Sequence, residues 1–139
     1  MADDLLGGAE RNGSAAIRVL IAEDDAAVRQ LLVELVRCQP GLRLAAAACD
    51  TETAVAAAAA ELPDVAVVDV QMPGGGGLRA VREIAECSPK TRVIAFSGDD
   101  EGGTVQEMLD AGAHSYVVKG SSLAAIVDAI ERAGKVKPV

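Results

Sequence analysis

The chain has 139 residues, of which 13 are Lys or Arg and 21 are Asp or Glu, so its net charge is −8; half of its residues are hydrophobic. This length supports one domain with one core and leaves too little chain for a second domain of useful size. The acidic balance argues against direct binding to nucleic acid or to a membrane surface, because both need a basic patch, and one Phe and one Tyr offer little for base stacking.

The sequence carries no recognisable targeting or membrane signal. The residues after Met1 lack the basic region of a signal peptide, and no apolar run approaches the ~18 residues of a membrane helix. Three widely spaced cysteines, Cys38, Cys49 and Cys87, form no zinc-binding pattern, so we interpret them as reduced, mostly buried thiols. These features predict a soluble, cytoplasmic protein.

The hydrophobic pattern predicts alternating strands and helices after a flexible tail at 1–16, which is rich in Gly, Asp and Ser. Short apolar runs predict strands at 17–22, 42–48, 65–68, 93–96 and 116–118. Apolar residues at helical spacing predict helices at 28–36, 52–61, 78–87, 104–109 and 123–132. We therefore expect one folded domain at 17–134, followed at 135–139 by a C-terminal tail or the start of a linker.

The strands lack a polar alternate face, which indicates that helices cover them on both sides, as in a parallel sheet. The alternation of five strands with five helices then predicts a doubly wound α/β fold. In such folds, ligands bind beyond the carboxyl ends of the strands. The residues that directly follow the strands are therefore the candidates for function.

Polar residues follow four of the five predicted strands. They are Glu23 and Asp24 after the first strand, Asp69 after the third, Ser97 after the fourth and Lys119 after the fifth. If these strands are neighbours, their side chains meet in one pocket. Three carboxylates at close range need a cation to stay ionised together, and Mg²⁺ prefers such oxygen ligands. An acidic cluster with a lysine and a hydroxyl predicts phosphoryl chemistry.

The charges of these groups indicate a role for each of them in phosphoryl transfer. An aspartate that attacks phosphorus becomes an acyl phosphate, and positive groups must meet the charge on the phosphoryl oxygens. Mg²⁺ held by Asp24 and Asp69 can meet one oxygen. The Lys119 ammonium can meet a second, and the Ser97 hydroxyl with nearby backbone N–H groups can meet the third. Asp69 is the preferred nucleophile because it follows the most continuously apolar strand, although composition alone does not choose it over Asp24.

Four segments carry the motifs of a known family: LIAEDD at 20–25, VVDVQMP at 67–73, VIAFSG at 93–98 and AGAHSYVVK at 111–119. In their order and spacing they resemble the receiver domain of two-component response regulators. The resemblance runs from about residue 17 to residue 133 and covers nearly all of the predicted domain. It implies a flavodoxin-like fold with five parallel strands in the order 2-1-3-4-5, flanked by five helices.

The resemblance also implies roles for individual residues at the strand ends. By position, Asp69 is the phospho-acceptor, and Glu23 and Asp24 are the acidic pair. Asp24 and Asp69 would bind Mg²⁺ directly, Glu23 would bind it through water, and Gln71 would contribute its backbone carbonyl. These four residues are therefore the expected metal site of the domain.

Three further residues carry the switch in the resemblance. Lys119 pairs with the phosphoryl group, Ser97 is the hydroxyl that turns toward it, and Tyr116 is the aromatic residue whose rotamer follows. Activation would then change a surface formed by the fourth helix, the fifth strand and the fifth helix. The resemblance implies a signalling switch, which catalyses only its own phosphorylation and dephosphorylation, and not a metabolic enzyme.

The implied partners are a sensor histidine kinase or a phosphotransfer protein, which would donate the phosphoryl group that is later lost by slow hydrolysis. A homodimer on activation is a further expectation. Because 135–139 leaves no room for an effector, either the protein acts alone through protein contacts or this is the receiver portion of a longer chain with an effector domain. Two other functions stay open. A phosphorylation-independent interaction module usually lacks an acid or the lysine. A nucleotide-binding enzyme is weakly indicated by Gly75-x-Gly77-x-x-Ala80, which leaves the acidic pair unexplained.

Two positions depart from the family pattern. Gly120 follows Lys119 where members commonly carry proline, a pattern similar to receivers fused to helix-turn-helix effectors of the nitrate-response type. We expect a trans peptide bond there, because a cis bond before a non-proline residue costs ~2.5–4 kcal/mol. Four successive glycines, Gly74 to Gly77, stand where the family usually has one, which predicts an unusually mobile loop beside the acceptor.

Overall fold

The computed structural model describes residues 16–98 and 102–135. It contains β1 (Ile17–Ala22), α1 (Ala26–Arg37), β2 (Leu42–Ala48), α2 (Thr51–Glu61), β3 (Val65–Asp69), α3 (Gly76–Cys87), β4 (Arg92–Ser97), α4 (Gly102–Ala111), β5 (Ser115–Val118) and α5 (Leu123–Lys135). All ten predicted elements are confirmed, whereas positions 1–15 and 136–139 of the predicted tails lie outside the described residues. No helix in the described ranges is both long and apolar enough to cross a membrane.

The strands form one parallel sheet in the order β2-β1-β3-β4-β5, which confirms the predicted fold. Apolar side chains cover both faces of this sheet, so there are two cores. On one face the strands pack against α1 and α5, and on the other they pack against α2, α3 and α4. The register pairs Asp69 with Phe96 and Ser97 with Val118, so β3, β4 and β5 end at the same level.

Capping residues outside the apolar pattern fix where the first two helices begin. Asp25 Oδ1 accepts hydrogen bonds from the N–H groups two and three residues further on, at 2.9 and 3.1 Å, so α1 begins at Ala26. Asp50 caps α2 in the same way, and that helix begins at Thr51. The first four helices start one or two residues before the predicted ones, whereas α5 starts as predicted, at Leu123, and extends three residues further, to Lys135.

The cysteines occupy the ends of elements and not the cores. Cys38 and Cys49 are exposed and Cys87 is partly buried, so the prediction of mostly buried thiols is wrong. Cys38 is the C-cap of α1, Cys49 follows the edge strand β2, and Cys87 is the last residue of α3. The prediction rested on the general tendency of free cysteines to be buried, which does not show that each thiol lies at the end of a secondary-structure element.

Candidate functional site

The polar residues that follow the strands meet at the carboxyl edge of the sheet. Glu23 comes directly after β1, Asp69 ends β3, Ser97 ends β4, and Lys119 comes directly after β5. These four strands are consecutive neighbours in the sheet, and the chain order reverses between β1 and β3. The predicted convergence is thus present, at the place where doubly wound sheets bind their ligands.

Three carboxylates form a compact acidic cluster at this edge. One oxygen from each of Glu23, Asp24 and Asp69 lies within 4.8 Å of the others. Glu23 and Asp69 are buried, at 0% and 2% exposure, whereas Asp24 is exposed. The cluster therefore has two acids set into the protein and one on the solvent side, from which a small ion or a phosphoryl group can enter.

Lys119 bridges the two buried acids. Its Nζ lies 3.2 Å from Glu23 Oε1 and 3.2 Å from Asp69 Oδ1, and it lies 5.4 Å from the centre of the Phe96 ring. Partial burial opposes the charge of the ammonium, but the carboxylates of Asp69 and Glu23 outweigh it and raise the Lys119 pKa above its usual value. Lys119 therefore stays positively charged at neutral pH. Its peptide bond to Gly120 is trans, as predicted.

Glu23 is the acid whose ionisation is most disfavoured. Desolvation by burial raises its pKa from 4.5 to about 7, and the neighbouring Asp69 adds to the rise, while the Asp25 N–H and Lys119 act against it. Glu23 Oε2 accepts a hydrogen bond from the Asp25 N–H at 3.1 Å. Its Oε1 is buried and, despite the nearby ammonium, has no partner in hydrogen-bond geometry. Hydrogen bonding with Asp69 holds the Asp24 pKa below its usual range.

The backbone around Asp69 is fixed by its neighbours in the sheet and by α3. Asp69 Oδ1 accepts a hydrogen bond from the Gln71 N–H at 3.1 Å, and the Val70 N–H donates to the Phe96 carbonyl at 3.0 Å. Gly77 lies against this segment: a Cβ at Gly77 would stand 2.5 Å from the Asp69 carbonyl oxygen and 2.7 Å from the Val70 Cα. A side chain there is excluded by close packing, which explains one of the four glycines.

The rest of the glycine loop is bound on both sides. The Thr51 N–H donates to the Pro73 carbonyl at 3.1 Å, and the buried Thr51 hydroxyl donates to the Gly76 carbonyl at 3.2 Å. Arg79 Nη1 donates to the Gly74 carbonyl at 2.6 Å. These contacts join the loop to α2 and α3, and its mobility stays a prediction.

Ser97 and Tyr116 occupy different environments. Ser97 is buried at the end of β4, and its backbone carbonyl accepts a hydrogen bond from the Lys119 N–H at 2.6 Å. Tyr116 lies on the edge strand β5 with 42% of its surface exposed. The structure thus places Ser97 beside the lysine, while Tyr116 lies outside the acidic cluster.

Two contacts at this edge were missed by the sequence analysis. Phe96 lies under the Lys119 ammonium, and Arg29 reaches from α1 to the backbone carbonyl of Glu23 at 3.0 Å. Phe96 lies in the VIAFSG segment and Arg29 in the first predicted helix, but neither pattern indicates these two contacts. Asp25 is the N-cap of α1, and an Asp before an apolar helical pattern is the signal that reveals such a cap.

A comparison with protein families identifies the class. The family model described as "Response regulator receiver domain" matches residues 19–131, and the chain belongs to this family. Its members are signalling switches whose standard function is to accept a phosphoryl group. The comparisons do not favour the nucleotide-binding alternative.

Individual relatives agree with this assignment. The chain is 36% identical over 114 residues to the response regulator GacA of Pseudomonas viridiflava, covering 82% of this chain and 53% of that protein. It is 38% identical over 130 residues to the transcriptional regulatory protein PdtaR of Mycobacterium tuberculosis, covering 91% and 62%. The chain therefore spans little more than half the length of these relatives.

Solved structures match the fold as well. The signal receiver domain of the putative response regulator NarL from Mycobacterium tuberculosis superposes with a TM-score of 0.84 at 29% identity, covering 88% of this chain and 98% of that one. The response regulator domain of Thermotoga maritima CheB gives a TM-score of 0.81 at 29% identity, covering 88% and 99%.

Proposed function

We propose that Asp69 is the phospho-acceptor of this receiver domain. What supports the proposal is that Asp69 is a buried acid that contacts both Lys119 at 3.2 Å and the acidic cluster. Asp24 belongs to the cluster but is exposed. Glu23 also contacts Lys119, but its two oxygens are engaged separately, one by Lys119 and the other by the Asp25 N–H. At Asp69 a single oxygen, Oδ1, takes both Lys119 and the Gln71 N–H. Asp69 thus combines access to the cluster with a cationic neighbour.

In the proposed reaction, a carboxylate oxygen of Asp69 attacks the phosphorus of a phosphohistidine donor. The new O–P bond forms as the P–N bond of the donor breaks, and the electron pair returns to the imidazole nitrogen, leaving an acyl phosphate on Asp69. Lys119 holds its proton and meets charge on the phosphoryl oxygens. Slow hydrolysis by water would later restore the free carboxylate.

The acidic cluster fits a hard divalent cation. The carboxylate oxygens of the cluster are the ligands that Mg²⁺ prefers. The buried Glu23 Oε1 has no hydrogen-bond partner among the described residues, and a water bound to the cation could donate a hydrogen bond to it. We assign Asp24 and Asp69 as direct ligands, Glu23 as a ligand through water, and Gln71 through its backbone carbonyl. When bound, Mg²⁺ would offset charge on the transferred group.

The output of the switch would begin at Ser97. Its place at the end of β4, next to the Lys119 backbone, supports a hydroxyl that turns toward the phosphoryl group. We propose that Tyr116, now exposed on β5, changes rotamer with it and alters the surface of α4, β5 and α5. A homodimer formed on activation is one outcome that such a surface could support.

The wider context is also a proposal. A sensor histidine kinase or a phosphotransfer protein would donate the phosphoryl group, and the cytoplasm is the compartment in which these partners meet. Receiver domain boundaries at 17–134 contain the family match at 19–131. Because relatives such as GacA and PdtaR are longer, we propose that an effector domain acts with this receiver.

Intact-protein mass after incubation with acetyl phosphate tests the acceptor. We expect the wild-type chain to gain one phosphoryl group in the presence of Mg²⁺, to lose it in base, and to gain none when Mg²⁺ is removed by a chelator. Asp69→Asn should gain nothing. Asp64→Asn, which changes an acid just before the same strand, should behave as wild type.

Two results would count against the proposal. A phosphoryl gain that persists in Asp69→Asn would move the acceptor to another residue. No gain in the wild type, alongside a receiver that is phosphorylated under the same conditions, would favour the phosphorylation-independent interaction module.

A further inference from the structure

Arg29 connects α1 to the acidic loop that precedes it. The residue is half-buried on the first turn after the N-terminus of α1, and its Nη1 donates to the backbone carbonyl of Glu23 at 3.0 Å. The same nitrogen lies 3.4 Å from the backbone carbonyl of Asp24. One guanidinium nitrogen therefore spans the peptide units that carry two of the three acids in the cluster.

The loop is anchored at both of its ends by other groups. The Glu23 N–H donates to the Ala48 carbonyl of β2 at 3.0 Å, and Asp25 is held as the N-cap of α1. Among the hydrogen bonds of the described residues, the carbonyl of the middle residue, Asp24, is reached by Arg29. Asp24 is also the exposed acid, so it depends most on its backbone for its direction.

We propose that Arg29 is a positioning residue for the metal site, a role that rests on the proposed function above. The Asp24 carboxylate is the exposed member of the cluster, and the two neighbouring carboxylates repel it whenever all three acids are ionised. By holding the Glu23 and Asp24 carbonyls, Arg29 keeps this carboxylate directed into the cluster. The planar guanidinium holds Nη1 in a fixed direction toward both carbonyls, whereas a lysine ammonium ends a flexible stem.

Charge and position predict opposite effects at this site. A cation near a divalent metal site repels the metal, so removal of Arg29 would tighten Mg²⁺ binding if its charge were all that mattered. If Arg29 positions Asp24, its removal weakens binding, because groups that orient metal ligands commonly contribute about tenfold or more in affinity. The direction of the change therefore separates the two explanations.

Calorimetric titration of the metal-free chain with MgCl₂ measures this direction. We expect Arg29→Gln to weaken Mg²⁺ binding about tenfold. Arg29→Lys, which keeps the charge, should weaken it by a smaller factor. Arg37→Gln removes the same charge from the last turn of the same helix and should leave the affinity unchanged. Thermal unfolding in a chelator identifies any variant that fails to fold. If Arg29→Gln fails to fold, the Mg²⁺ affinity of Arg29→Lys is compared with that of the wild type instead.

Phosphorylation by acetyl phosphate at rising Mg²⁺ gives a second readout. A positioning role predicts that Arg29→Gln needs more Mg²⁺ to reach half of its maximal rate, while its rate at saturating Mg²⁺ approaches that of the wild type. Equal or tighter Mg²⁺ binding by Arg29→Gln, with a wild type that binds Mg²⁺ and is phosphorylated, overturns the role of Arg29 alone. A wild type that binds no Mg²⁺ overturns it together with the proposed metal site.

Discussion

Polar groups have opposite environments at the two edges of the sheet, the amino edge where the strands begin and the carboxyl edge where they end. At the amino edge, the Arg18 N–H donates to Asp64 Oδ2 at 2.9 Å, and the Arg18 guanidinium pairs with Glu61 at 2.9 Å. The buried Thr91 hydroxyl donates to the Pro63 carbonyl at 2.6 Å. At the carboxyl edge, three carboxylates crowd around one lysine, and a buried oxygen of Glu23 lacks a hydrogen bond.

This difference separates stability from function within one fold. Satisfied polar groups at the amino edge stabilise the chain, since a buried donor or acceptor without a partner costs about 1–3 kcal/mol. Desolvated, like-charged carboxylates at the carboxyl edge destabilise it until a cation offsets their charge. Three predictions compare substitutions at the two edges.

The largest change in stability is expected from Gly77→Ala at the carboxyl edge. The added Cβ would meet the Asp69 carbonyl oxygen at 2.5 Å, so α3 must move away from the acceptor strand, at a cost of about 3 kcal/mol. Gly41→Ala is the matched change at the amino edge, where a Cβ has open space, and it should be nearly neutral. Urea unfolding compares the two; equal effects would contradict the close packing at Gly77.

The second prediction concerns Thr91→Val at the amino edge. The substitution keeps the shape but removes the hydroxyl that bonds to Pro63 and to Ser88, each at 2.6 Å, so the free energy of unfolding should fall by about 2 kcal/mol. Thr91→Ser retains the hydroxyl and should lose less. Phosphorylation by acetyl phosphate should stay at the wild-type rate in both. A slowed reaction in a folded Thr91→Val chain would refute the separation of the edges.

The third prediction concerns the pH dependence of stability caused by Glu23. Burial raises its pKa from 4.5 to about 7, so in this window the folded chain binds more protons than the unfolded chain. The stability of the metal-free protein should therefore decline as pH rises from 4.5 to about 7. Glu23→Gln should flatten this part of the profile. Glu61→Gln, an exposed acid at the amino edge, should not.

Much of the fold was readable from the sequence, because strand ends and strand polarity are local signals. Five apolar runs without a polar face indicated a parallel sheet, and the acids, the serine and the lysine that follow them indicated where the site lies. Gly76 and Gly77 misled the prediction of α3, which began at Leu78, because glycine is a poor helix former. Tertiary packing against Asp69 outweighs that preference at Gly77.

The contacts within the site were not readable in this way. That Lys119 lies equally close to Glu23 and Asp69 depends on how four strands align in space. The reach of Arg29 back to the loop depends on the direction of α1, which the sequence pattern leaves open. A strand-end pattern therefore names the members of the site, and three-dimensional packing decides which of them touch.

The turn after Lys119 restricts which segments of other receivers can replace residues 118–121 of this chain. The Ser121 N–H donates to the Val118 carbonyl at 3.1 Å, and Gly120 has a φ of +95°, the left-handed backbone that type II turns require at their third position. Proline holds φ near −65°. The lysine–proline pair common in the family therefore cannot be grafted into this turn as it stands, and a chimaera that exchanges this segment between receivers must carry the whole turn with the lysine.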